Sequence, residues 1–365
     1  MSGWAWPSMT DADTSLMPVP RANPALIGQD TAEHAFLSAW QSGRLAHGWL
    51  LSGPRGIGKE TLAFRLARFV LAGGKAAALG LDPAHNLFRR IAAGGHSDLF
   101  HLARQVNERT GKLRGEIVVD DVRKLCEFLS LTPGEGEWRV AIVDGAEAMN
   151  RNAANALLKV LEEPPSRALL ILVSHAPGRL LPTIRSRCRF LPLRPLDDAA
   201  LRAILAPLLT TLPGDEAALL LALAEGSPGR ALALHEAGGV ALYRDLLGLL
   251  GTLPALDAVR LHALADRAQA GEGRDRYRLI GELLLGVLAR AVRGLSGGGT
   301  GASRGLAASE AEVESRLGAG RGGLEQWVEV WDNLRRLFAR ADAIELEPRQ
   351  TLISAFGTLE RAARR

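Results

Sequence analysis

The stretch Gly53-Pro54-Arg55-Gly56-Ile57-Gly58-Lys59-Glu60-Thr61 constrains the fold more than any other feature of the chain. It follows the pattern G-x-x-x-x-G-K-[ST] up to its last position, a loop whose backbone N–H groups cradle phosphates while the Lys reaches the β and γ phosphates. Such a loop works between a buried strand and a helix. The apolar run Gly48-Trp49-Leu50-Leu51-Ser52 supplies the first, and Leu62 to Leu71, apolar at helical spacing, supplies the second. Gly53, Gly56, Gly58, Lys59 and Thr61 are therefore candidate nucleotide-binding residues.

Where the pattern places the hydroxyl that holds Mg²⁺, this chain has Glu60. A carboxylate about 4 Å from a phosphate charge, at an effective dielectric of about 20, is repelled by roughly 4 kcal/mol unless a metal intervenes. Thr61 is no obvious substitute, because one step along a helix turns a side chain by about 100°. MgATP is expected to bind weakly or to be hydrolysed poorly.

The 365 residues suffice for two or three domains with real cores, and 23% charged with 47% hydrophobic residues is a globular composition. Met1 to Met17 lacks a basic region followed by an apolar stretch, so no secretory signal is expected. The strongest apolar segment, Leu279 to Val292, is interrupted by Glu282 and Arg290 and is too short to span a bilayer. These features point to a soluble cytoplasmic protein without membrane attachment. Cys126 and Cys188 lie far apart, so cysteines supply neither a zinc site nor a disulfide framework. A net charge of +4 permits contact with nucleic acid without demonstrating it.

Leu99 to Leu102, Arg139 to Asp144 and Ala168 to Ser174 read as further strands, with helical patterns at Asp120 to Leu129 and Asn152 to Glu162 between them. That alternation predicts an α/β module, a parallel sheet with helices on both faces. After Phe190-Leu191-Pro192-Leu193 the pattern changes, and from Asp197 onward no convincing strand appears, which places a boundary near Pro195. Residues 1–195 would form the P-loop domain, 196–240 a small helical domain and 241–365 a second helical domain. Gly294 to Ala307 reads as a flexible connection between two helices of the last domain.

The run Arg139-Val140-Ala141-Ile142-Val143-Asp144 is an apolar strand ending in an acid, the second element of a nucleotide site. The next residue, often a Glu that polarises the attacking water, is Gly145, which cannot act as a base. Positions 60 and 145 thus both lack catalytic groups. The helix Asn152 to Glu162 carries an Ala/Leu face and is stopped by Pro164-Pro165.

Taken with Leu26-Ile27-Gly28-Gln29, His47-Gly48-Trp49-Leu50 and Ser186-Arg187-Cys188, these elements closely resemble the clamp-loader branch of the AAA+ family, and within it the delta-prime subunits of bacterial DNA polymerase III. The resemblance runs from about Pro24 to Arg230. It implies an AAA+ P-loop module, a small helical lid and an all-α collar that assembles with homologous subunits. It further implies that Arg187 is an arginine finger for the neighbouring subunit's ATP, with Ser174 at the sensor-one and Arg230 at the sensor-two position. The expected partners are delta and gamma/tau subunits, the sliding clamp and primer-template DNA. The expected ligand is ATP or ADP, held weakly or structurally, without zinc. Arg123 and Lys124 would face either DNA or, more in keeping with their pattern, solvent. An active gamma/tau-type ATPase is the alternative, but that kind typically carries a four-Cys zinc module and the hydroxyl after the Lys; Gly73 to Ser97 contains no Cys. A P-loop nucleotide kinase would leave the helical last third without a purpose.

Overall fold

Every residue of the strands at Gly48–Ser52 and Ala168–Ser174 is buried, as expected where helices cover both faces of a parallel sheet. The computed structural model describes residues 17–106, 114–268, 273–296, 304–318, 323–344 and 346–364. The terminal stretch read above for a leader lies outside them up to residue 16, as does the central part, 297–303, of the connection at Gly294 to Ala307. Two compact units are present: the chain up to Leu208 with Gly226–Gly229, and Leu209–Glu225 with Arg230–Arg365.

The first unit runs α1 (Asp30–Gln41), β1 (Gly48–Ser52), α2 (Lys59–Leu71), α3 (Asn86–Ala92), β2 (Leu99–Leu102), α4 (Val119–Ser130), β3 (Arg139–Asp144), α5 (Arg151–Glu162), β4 (Ala168–Ser174), α6 (Pro182–Arg185), β5 (Arg189–Pro192) and α7 (Asp198–Leu209). The five strands form one sheet in the order β2-β3-β4-β1-β5, each pairing parallel. Period-two alternation assigns the two cores. Trp49 and Leu51 of β1, Val140 and Ile142 of β3, and Leu169, Ile171 and Val173 of β4 pack with α1 and α2. The intervening Leu50, Ala141, Val143, Leu170 and Leu172 pack with α4 and α5. The order makes β1 the point from which the chain leaves for the far edge at β2. In open α/β sheets ligands bind at the carboxyl ends of strands beside such a reversal.

The edge strand β5 is not among the strands expected from the sequence; it ends at Pro192, and Leu193 N beyond it still donates to Ser52 O at 2.7 Å. The helix expected from Leu62 begins at Lys59, because Gly58 is its N-cap in the left-handed conformation (φ 95°).

The second unit is helical among its described residues: α8 (Gly214–Ala224), α9 (Pro228–Glu236, whose first two residues belong to the first unit), α10 (Gly239–Leu250), α11 (Ala258–Arg267), α12 (Gly273–Leu295), α13 (Arg304–Gly318), α14 (Gly323–Ala343) and α15 (Pro348–Ala363). Its core contains a buried polar cluster. Arg290 on α12 donates to both oxygens of Glu310 on α13, and Tyr243 Oη on α10 donates to the same carboxylate at 2.6 Å. No described helix is long and apolar enough to cross a membrane.

Candidate nucleotide site

The loop 53–58 leaves the carboxyl end of β1 and enters α2, with Gly53, Gly56 and Gly58 all at positive φ. At Gly53 a Cβ would come within 2.5 Å of Leu193 O, so the loop's first residue is fixed as Gly by backbone approach as well as by its φ of 145°. Ser174 pairs in register with Ser52 across β1 and β4, and Asp144 ends β3 one strand further on. The topology thus brings the sequence-predicted Asp144 and Ser174 to the mouth of the loop.

Lys59 is 3% exposed, and its ammonium donates to Gly53 O at 2.8 Å and to Pro54 O. Burial pushes its pKa down to about 8, against the opposing pull of Asp144 and Glu147. Asp144 moves the other way, raised by burial and then by the negative charge of Glu60. Glu60 therefore acts on the site electrostatically. Its carboxylate lies 3.3 Å from His101 Nε2 on β2, with its side chain 28% exposed, while Thr61 is buried.

Sequence reasoning missed several residues here. Glu147, three past Asp144, accepts hydrogen bonds from the His175 N–H (3.2 Å) and from the Ser174 hydroxyl. Burial alone would raise its pKa; those bonds and one from its own N–H hold it below the usual value. His175 is pushed down to about 4, by burial and by the Lys59 charge, and its buried Nδ1 has no hydrogen-bond partner among the described residues. Gln29 is 5% exposed, and its amide donates to Arg194 O (2.9 Å) and Ile57 O (3.4 Å), bracing the loop from behind. Ser227 Oγ donates to Arg55 O at 2.7 Å and Gly229 N to Gly56 O at 3.0 Å. A Cβ on Gly229 would stand 2.7 Å from Gly56 Cα. Gln29 lies within the Leu26-Ile27-Gly28-Gln29 run that carries the resemblance, without a role assigned to it, and Glu147 is visible as a lone acid in an otherwise small-residue stretch.

The donor set fits phosphate: glycine backbone at positive φ and a buried Lys ammonium. Where the pattern has the metal-holding hydroxyl stands Glu60, and no cluster of three or more His, Cys, Asp or Glu is found among the described residues.

The remaining predicted residues lie elsewhere. Arg187 runs beside the start of β1, its carbonyl 3.7 Å from where a Gly48 Cβ would be. Four strand steps of about 3.3 Å put it at least ~13 Å from the loop, at the opposite end of the sheet. Its guanidinium meets Glu162 at 2.9 Å and donates to Thr183 O at 3.1 Å and Ser186 Oγ at 3.4 Å. Arg230 belongs to the second unit, where it pairs with Glu225 at 3.1 Å. Arg123 and Lys124 are exposed on α4, and Arg123 pairs with Asp120 at 3.1 Å.

The family model for "DNA polymerase III, delta subunit" matches residues 28–197. The chain is 45% identical over 196 residues to a DNA polymerase III subunit delta' of Pseudomonas aeruginosa, covering 53% of this chain and 57% of that one. It is 31% identical over 256 residues to the delta' subunit of Escherichia coli, covering 70% and 73%. A gamma/tau subunit of Mycobacterium bovis is 32% identical over 264 residues, 68% of this chain and 44% of that one. The chain thus spans about half the length of the Pseudomonas and Mycobacterium relatives.

Proposed function

The chain belongs to the delta-prime family of bacterial DNA polymerase III subunits, within the AAA+ clamp loaders, and from that membership we propose that it is the catalytically quiet member of a loader, active through its neighbours. The observation that carries the reading is Glu60. It stands at the metal-holding position, and its charge raises the pKa of Asp144, the acid that should bind the same ion. Gly145 offers no base to follow it. Lys59, Gly53, Gly56 and Gly58 would hold ATP or ADP by its phosphates, with Thr61 buried behind them and Ser174 at the sensor-one position. Nucleotide there is weak or structural.

Arg187 is the arginine finger of this reading. Its distance from the chain's own loop and its exposure suit a phosphate supplied by a neighbouring gamma/tau subunit. A guanidinium delivered in trans stabilises charge on the transferred phosphoryl group and can be worth roughly 10³ to 10⁵ in rate. Residues 1–195 form the AAA+ module, 196–240 the lid carrying Arg230 as sensor two, and 241–365 the collar that assembles with delta and gamma/tau. The assembly opens the sliding clamp at primer-template DNA in the cytoplasm; nucleotidyl transfer belongs to another subunit. The gamma/tau-type alternative requires groups that positions 60 and 145 lack.

Steady-state ATP hydrolysis by the purified chain with Mg²⁺ tests the quiet site. The expected rate is indistinguishable from that of a Lys59→Ala control. Brisk turnover abolished by Lys59→Ala would make the chain a motor subunit.

A further inference from the structure

We infer that Glu162 is a positioning residue for Arg187, holding the guanidinium in a fixed pose from which it can reach a neighbour's terminal phosphate; this rests on the reading of Arg187 as a finger. Among the described contacts, both hydrogen bonds of the guanidinium run from Nη1, to Thr183 O and Ser186 Oγ, while Nη2 lies 2.9 Å from a Glu162 oxygen as an ion pair. The Nε–H carries no described bond and is left for a phosphate oxygen.

The anchor itself is rigid. Glu162 is the last residue of α5, Pro164 and Pro165 stop the helix behind it, and Leu161 before it is 2% exposed. His47, which leads into β1, bonds Leu161 O at 2.9 Å. The backbone that carries Glu162 is therefore tied to the sheet through its neighbour in sequence.

Local stability does not account for a carboxylate at this position. Glu162 and the C-cap residue Glu163 put two negative charges at the negative end of a helix dipole, with Lys159 the only base in that turn. The ion pair with Arg187 is exposed on both sides (Arg187 37%, Glu162 50%), and such pairs contribute little to folding. A placement that breaks a local rule without a stability gain is characteristic of functional positions.

The test uses the assembled loader with its cognate subunits, clamp and primed DNA, comparing native chain, Glu162→Ala, Glu162→Gln, Arg187→Ala and the Glu162→Ala/Arg187→Ala double variant, each first shown to assemble by gel filtration. The expected result is a fall in kcat of about three- to tenfold for Glu162→Ala with KM for ATP within about twofold, most of the rate recovered by Glu162→Gln, and no further loss in the double variant relative to Arg187→Ala. The inference is overturned if Glu162→Ala lowers kcat equally in the presence and absence of Arg187, or leaves it unchanged while Arg187→Ala is crippled. If Arg187→Ala itself turns over at the native rate, the finger reading fails and takes this inference with it.

Discussion

Replacing Glu60 by Thr restores the hydroxyl of a metal-dependent loop and removes one negative charge from its mouth. The charge reaches the site, because it is the second largest influence raising the pKa of Asp144, after burial. Its side chain is 28% exposed and leans to His101, so the carboxylate is not at the closest possible approach to a bound phosphate. With an effective dielectric of about 20, a unit charge costs roughly 4 kcal/mol at about 4 Å and roughly 2 kcal/mol at about 8 Å. That bracket corresponds to about 30-fold to about 1,000-fold in affinity. Isothermal titration of MgATP into the native chain and Glu60→Thr should show a dissociation constant lower by a factor in this range for the variant. The gain should persist for ATP in EDTA, where no ion screens Glu60 from the phosphates and the removed charge alone carries the effect. A variant whose MgATP affinity stays within twofold of native would refute the electrostatic argument, since neither the charge nor the missing hydroxyl would then limit binding.

Three further outcomes follow from burial and close approach. The folded chain gives up the Lys59 proton near pH 8, whereas the unfolded chain keeps it to about 10.5, so the buried charge disfavours folding by on the order of 3 kcal/mol below pH 8, fading as pH rises to 10.5. Lys59→Met should therefore raise Tm at pH 7, by about 2–4 °C after the lost bonds to Gly53 O and Pro54 O are counted, with the difference shrinking above pH 8; a lower Tm at pH 7 would contradict it. Gly229→Ala would force a Cβ against the backbone of Gly56 at 2.7 Å, an overpacking of about 1–3 kcal/mol. Amide exchange in the loop 53–58 should speed up, while Gly178→Ala, with nothing within 4 Å, should leave it unchanged. Glu310→Ala would leave the Tyr243 hydroxyl without its acceptor and Arg290 with only Glu225, at 3.4 Å, inside the second unit and cost about 3–5 kcal/mol in denaturant unfolding; a loss below about 1 kcal/mol would mean the cluster is hydrated in solution.

The central strands were legible because parallel strands covered on both faces are written as continuous apolar runs, and four of the five strands fall where the sequence places them; the exposed edge strand β5, which begins at Arg189, carries no such run. Helices were legible from period and from breakers, as at Pro164-Pro165 after α5. Strand order was not, since Leu50 and Leu170 reveal their own burial and nothing of their neighbours. The site divided along the same line. Lys59, Asp144 and Ser174 announce themselves by position at strand ends, whereas Gln29, Glu147 and Gly229 matter through contacts with residues distant in sequence. Arg290 reads in sequence as an interruption of an apolar stretch. Its buried partner, Glu310, lies on the next helix and beyond a gap that periodicity cannot bridge.

The central claim is that this chain contributes a guanidinium to a neighbour's ATP while its own loop stays quiet. ATP turnover by the loader reconstituted with clamp and primed DNA, carrying either native chain or Arg187→Ala, addresses it most directly. A fall in rate of 10³-fold or more at the dependent site, from a chain that alone hydrolyses nothing, is the predicted result. Undiminished turnover by the Arg187→Ala assembly, together with hydrolysis by the isolated chain, would contradict it.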